Sequence, residues 1–199
     1  MPSLCWAISI RLMSGMGMGT ATQLGSLAFF ATVWVVMMAG MMLPGAAPNV
    51  ARAARTRGRR AVPEFTGPYL AVWALAGAVV FAAYRPHGTV VAAVVTIAAG
   101  TYELTPLKRH FRRGCRERSA SGLGFGLCCV GSSAGLMAMF VALGVMSVGW
   151  MVVTAVLVTA QKILPGRAAL DALLALAILA FGVVILVDPT LVPGLTPAM

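Results

Sequence analysis

The chain has 199 residues, 60% of them hydrophobic and 10% charged, with a mean hydropathy of +0.92 and a formal net charge of +10. Soluble domains carry about 25% charged residues, and surface-to-volume scaling gives a fold of this length no means of hiding so much apolar surface from water. Lipid is therefore the expected solvent. The cations sit in short blocks between apolar runs with no recognition motif, which argues against nucleic acid as a partner.

A spanning helix needs roughly 20 mainly apolar residues. Six stretches meet or approach that: Gln23–Leu43, Gly67–Tyr84, Gly88–Leu107, Gly122–Met146, Trp150–Leu164 and Ala168–Val187. Their length, and the need to satisfy every backbone group within the segment, predicts helices rather than strands. The expected fold is all-α, a polytopic transmembrane helical bundle of about six spanning helices. Residues 1–22 form an outer Met/Gly-rich segment, 23–187 the membrane domain and 188–199 a short tail. Pro44, Pro48, Pro63, Pro68 and Pro106 are expected to punctuate helix ends, and Ser147-Val148-Gly149 to turn a tight helical hairpin.

Three loops carry all but Arg11 and Arg85 of the 15 Lys and Arg residues. The first holds Arg52 to Arg60, the second Lys108 to Arg118, and the third is flanked by Lys162 and Arg167. With six spans these loops share one side, and the positive-inside rule makes that side cytoplasmic with both termini outside. The blocks set orientation, with anionic lipid or a partner as a further use. The four cysteines have no disulfide or zinc spacing: Cys128 and Cys129 are adjacent, and Cys115 lies in a block assigned to reducing cytosol.

Polar and soft donors inside a membrane are informative because they are costly or rare there. In Met37-Met38-Ala39-Gly40-Met41-Met42-Leu43-Pro44, positions 37 and 41, and 38 and 42, share a helix face. Such methionines are packing filler or thioether ligands suited to Cu(I). Glu103 lies about five residues before the cations, roughly 7 Å into its helix. It is either an interfacial partner of Lys108 or Arg109, or a metal or proton ligand. Gly131 and Gly135 form a GxxxG that admits close helix approach. Cys128 and Cys129 are structural thiols or soft ligands. By depth, Met37 to Met42, Glu103, Cys128 and Cys129 fall in one cytoplasmic-side layer, with Met137 deeper and Gln161 approaching it. Met13, Met16 and Met18, with Met146 and Met151 at the hairpin turn, form a second group expected outside. His87 and His110 are expected at the surface. No HExxH, CxxC, Walker or GxSxG motif is present, so no enzyme is expected.

The segments MMAGMMLPGAAP (Met37–Pro48), YELTPLKR (Tyr102–Arg109) and the Leu136 to Pro165 region containing QKILP resemble a bacterial family of unknown function described as predicted metal-binding integral membrane proteins. The resemblance covers roughly Trp34 to Pro165, with Tyr69 and Trp73 also in place. It implies a multi-pass protein of the bacterial cytoplasmic membrane and points to Met41, Met42, Glu103, Cys129, Met137 and Met146 as metal residues, to which the pattern above adds Met37. The chain departs from the family at Ser132, Ser133 and Ala134, where the pattern reads Cys-Cys-Trp, and at Gln161, where an acid is usual. The family often begins with an extra apolar helix, and Leu4–Ile10 resembles its stub, which would place the N-terminus inside.

The function expected is binding or handling of a soft transition metal, foremost copper(I), for transport or delivery. The alternative is a non-catalytic helical subunit or assembly factor without metal. Membrane lipids, and a membrane or periplasmic protein, are the partners expected.

Overall fold

The structure, a computed structural model, describes residues 7–8, 10–11, 24–117, 121–145, 147–163 and 168–192. Among them are seven α-helices: α1 (Leu27–Arg57), α2 (Ala61–Ala83), α3 (Thr89–Leu104), α4 (Pro106–Glu117), α5 (Gly122–Gly144), α6 (Val148–Ile163) and α7 (Ala168–Val187). A short 3-10 turn, Pro189–Leu191, follows. No strand occurs among the described residues, and the all-α class holds.

The helices begin and end for local reasons. Ser26 caps α1 by accepting from the Phe29 amide at 3.3 Å, and Ser121 caps α5 by accepting from the Gly124 amide at 3.1 Å. Arg55 and Arg57 occupy the last turn of α1, where cations complement the helix dipole. α1 stops at Gly58, whose φ of 82° suits a residue without Cβ. Glu64 lies in the first turn of α2, at the end favourable to an anion.

Three expectations about boundaries are corrected. Pro44 and Pro48 lie inside α1, which continues to Arg57, and Pro68 lies inside α2. Each breaks one rung of the backbone ladder without ending the helix, which surrounding helices make tolerable. The third span does not run to Leu107: Thr105, held extended by the following proline, ends α3. Pro106 then opens α4, the favoured place for proline in a helix, and the Lys108 amide donates to Thr105 Oγ1 at 3.4 Å. The basic stretch after Pro106 is thus a helix, strongly amphipathic, rather than a loop.

Among the described residues three helices, α1, α2 and α5, are long and apolar enough to cross a bilayer, and a fourth span results if α3 and α4, bent at Thr105, count as one. The apolar stretches Val148–Lys162 and Asp171–Val187 are shorter. Leu75, Val79, Leu173 and Val187 are 63–78% exposed, an apolar surface suited to hydrocarbon rather than water.

The chain divides into two compact units. In the first, Leu24–Tyr84 and Arg109–Ser132, α1 and α2 pack through Trp34. Its indole Nε1 donates to the Trp73 carbonyl at 2.9 Å, and its ring covers Gly77, where an added Cβ would lie 2.6 Å from Nε1. Phe30 stacks between Trp34 and Phe81, and Phe125 of α5 meets both Phe65 and Tyr69 of α2. In the second unit, Arg85–Lys108 and Ser133 onward, α3 and α7 pack closely: Gly100 faces Leu179 and Gly182 faces Ile97.

Candidate metal centre

In the first unit, Met37, Met38, Met41 and Met42 of α1 are all at most 1% exposed. Their i, i+4 pairing builds two adjacent thioether columns on the buried side of the helix. Tyr69, also buried, connects that turn to a thiol. Its hydroxyl lies 3.3 Å from Cys129 Sγ of α5 and 3.5 Å from the Met42 carbonyl oxygen. The α5 thiol therefore sits two hydrogen-bond lengths from the backbone of the Met41-Met42 turn. Small residues make the approach possible: an added Cβ at Gly126 would lie 3.1 Å from Val72 Cβ, and Gly122 faces the backbone of Phe65.

Further along α5, Gly131 lies under the Phe111 ring of α4, and Ser132 Oγ is 3.9 Å from Cys115 Sγ. Ser132 Oγ also donates to the Cys129 carbonyl at 3.0 Å. Cys128 and Cys129 are buried, Cys115 is half-buried, and none of the three is in a disulfide.

The second unit holds Glu103. Its side chain is fully buried, pairs with the equally buried Lys108 through Oε2, and accepts from the Gln161 amide at the same oxygen at 2.7 Å. Oε1 has no hydrogen-bond partner among the described residues and points towards Gly135, whose added Cβ would lie 3.4 Å away. The arrangement is that of a compensated buried charge, the interfacial-partner reading of Glu103 moved into the interior. Gln161 is suited to this place as a donor, where a carboxylate would face a carboxylate. Met137 is buried on α5 in this unit, and Met146 lies outside the described residues.

Other sequence expectations fare differently. Met13, Met16 and Met18 lie outside the described residues, while Met151, expected at the outer surface, is fully buried near the start of α6. His87 is half-buried rather than free at the surface, its ring nitrogens 2.9 Å from the Arg85 carbonyl and 3.0 Å from that of Ala142. His110 is exposed, as expected. Both glycines of the GxxxG are covered by this chain's own side chains, Gly131 by Phe111 and Gly135 by Tyr102. Tyr69 and Met38 are the neighbours that sequence reasoning left off the site. Met38 was legible in its spacing from Met42, whereas Tyr69 gave no local signal.

Among the described residues no group of three His, Cys, Asp or Glu side chains is placed to hold a metal ion. What the first unit offers is sulfur, four thioethers and the Cys129 thiol, a donor set that matches a soft monovalent ion.

No curated protein and no solved structure matches the chain. A family model described as PpoB2, copper chaperone, matches residues 31–185, a stretch that includes Met37 to Met42, Tyr69, Glu103, Cys129 and Gln161. Sulfur-rich donors and a copper-handling family agree, and the chain belongs to the PpoB2 copper chaperone family.

Proposed function

We propose that this protein is a multi-pass carrier of the bacterial cytoplasmic membrane that holds Cu(I) on buried sulfur and hands it on, for transport or delivery. The observation that carries the reading is the contact made by Tyr69, which holds Cys129 of α5 beside the Met41-Met42 turn of α1. Met41 and Met42 serve as thioether ligands, Cys129 as the thiolate, and Met37 as a neighbouring thioether. Two or three thioethers with one thiolate bind Cu(I) while rejecting harder ions. Met137, buried in the second unit, is a further candidate thioether, and Glu103 there is engaged by Lys108 and Gln161.

Handing on an ion needs no covalent step, and no enzymatic role is proposed. The basic segments, Arg52 to Arg60, α4 and Lys162, lie on the cytoplasmic face in this reading, as the positive-inside rule requires. The partners are membrane lipid and a membrane or periplasmic protein that gives or receives the ion.

The test is copper content of detergent-purified protein, loaded with Cu(I) under reducing conditions and washed with a competing chelator. Replacing Met41 and Met42 by Leu and Cys129 by Ser keeps the volume of the core nearly constant. Retained copper falls by about one ion per chain in this variant if the three are ligands. Unchanged retention in a folded variant makes the methionines packing filler and overturns the reading.

A further inference from the structure

The Met41-Met42-Cys129 layer is sealed: those residues are at most 1% exposed, and an ion held there has no route to a recipient without another donor nearby. The first unit supplies one where α4 packs on α5. Consecutive α4 residues Gly114 and Cys115 meet α5 residues one turn apart, Cys128 and Ser132. Cys128 Sγ lies 3.0 Å from where a Cβ on Gly114 would stand, and Cys115 Sγ lies 3.9 Å from Ser132 Oγ. Cys128 and Ser132, spaced i, i+4, share a face of α5. Cys115 and Cys128 therefore both lie at the α4–α5 contact, one from each helix.

We infer that Cys115 and Cys128 form a second Cu(I) station, a two-thiolate site through which the ion passes between the buried layer and a soluble thiol-bearing recipient or donor. It rests on the reading of this chain as a copper carrier. Cu(I) accepts two sulfurs facing each other across the ion, so no third ligand is needed. Two Cu–S bonds form, two thiol protons leave to solvent, and no electron moves. Arg109, Arg112 and Arg113 on the same helix offset the net negative charge of a bis-thiolate complex. Cys115 is half-buried, in contrast to the sealed layer, and is the member of this station nearer to an incoming thiol. Cys129, adjacent to Cys128 and engaged by Tyr69, links it to the sealed layer. Ser132, beside Cys115 Sγ at 3.9 Å, adds a hydroxyl rather than a third sulfur to this contact.

The experiment uses the full chain in detergent, Cu(I) as the probe, and a chelator competition read by metal content, with X-ray absorption at the copper edge to count sulfur neighbours. Four proteins are compared: wild type, C115S/C128S, M41L/M42L/C129S, and the combination. The inference expects M41L/M42L/C129S to keep about one copper per chain with two sulfur neighbours, and the combination to keep none. It also expects C115S/C128S to keep the buried copper, which certifies its fold, and to release that copper several-fold more slowly to added glutathione. If C115S/C128S retains and releases copper as wild type does, the second station is overturned while the carrier reading stands. If M41L/M42L/C129S matches wild type and C115S/C128S loses all copper, the buried layer is overturned and the thiol pair stands. No copper in folded wild type overturns both.

Discussion

Replacing Lys108 by Met tests the buried charge pair on which the second unit is built. The Lys108 and Glu103 side chains are 3% and 0% exposed, so the carboxylate left by this change has no water to turn to. Gln161 still donates to Oε2, but Oε1 gains nothing. Removing one member of a buried pair costs about 3–5 kcal/mol, because the remaining charge keeps its full desolvation penalty. That is a change of roughly a hundred- to several-thousand-fold in the unfolding equilibrium. Replacing both members at once, in E103Q/K108M, removes charge and counter-charge together. Such exchanges are often neutral, or stabilising by about 1–4 kcal/mol. Denaturant unfolding of the detergent-solubilised protein, followed by tryptophan fluorescence at mildly alkaline pH, measures all three proteins. K108M should be severely destabilised, and the double variant should recover most of the loss. A K108M protein within about 1 kcal/mol of wild type, the range of an exposed pair, refutes the buried-pair argument.

Two further changes probe the first unit. Gly77→Ala drives a methyl group into the Trp34 indole, which cannot retreat without losing its bond to the Trp73 carbonyl. It should cost about 1–3 kcal/mol in melting experiments, whereas Gly67→Ala, with nothing within 4 Å of the new Cβ, should be neutral or stabilising. Tyr69→Phe keeps the ring and removes the hydroxyl that reaches Cys129 and the Met42 carbonyl. It should cost about 1–2 kcal/mol and speed maleimide labelling of Cys129, measured by mass spectrometry on intact protein; unchanged labelling would mean that the hydroxyl does not restrain the thiol.

The helical class and the apolar segments were legible because long runs nearly free of charge are read directly along the chain, and that signal is local. The methionine columns were legible for the same reason: i, i+4 spacing within one helix is read along the chain. Glu103 announced itself as an acid in an apolar run, and its partners were legible only in outline. Lys108 is five residues away and was one of two candidates, while Gln161 comes from α6, far along the sequence. Tyr69 stood out only through the family resemblance, because what qualifies it as a site residue is its distance to Cys129, sixty positions away, and no pattern around Tyr69 encodes that. The prolines misled for a physical reason. In water they end helices, but in a bundle the freed carbonyls are tolerated, and α1 runs through two of them.

Those two prolines make α1 mechanically heterogeneous. Pro44 has no amide to offer the Gly40 carbonyl, and Pro48 none to offer that of Pro44, so two successive rungs on one side of the helix are missing. The gap falls immediately after Met41 and Met42 and immediately before the arginines of the last turns. α1 is one rod in outline but two in stiffness, joined by a compliant collar. A bending force on the arginine-bearing end would be taken up in that collar, leaving the sulfur-bearing end against Tyr69.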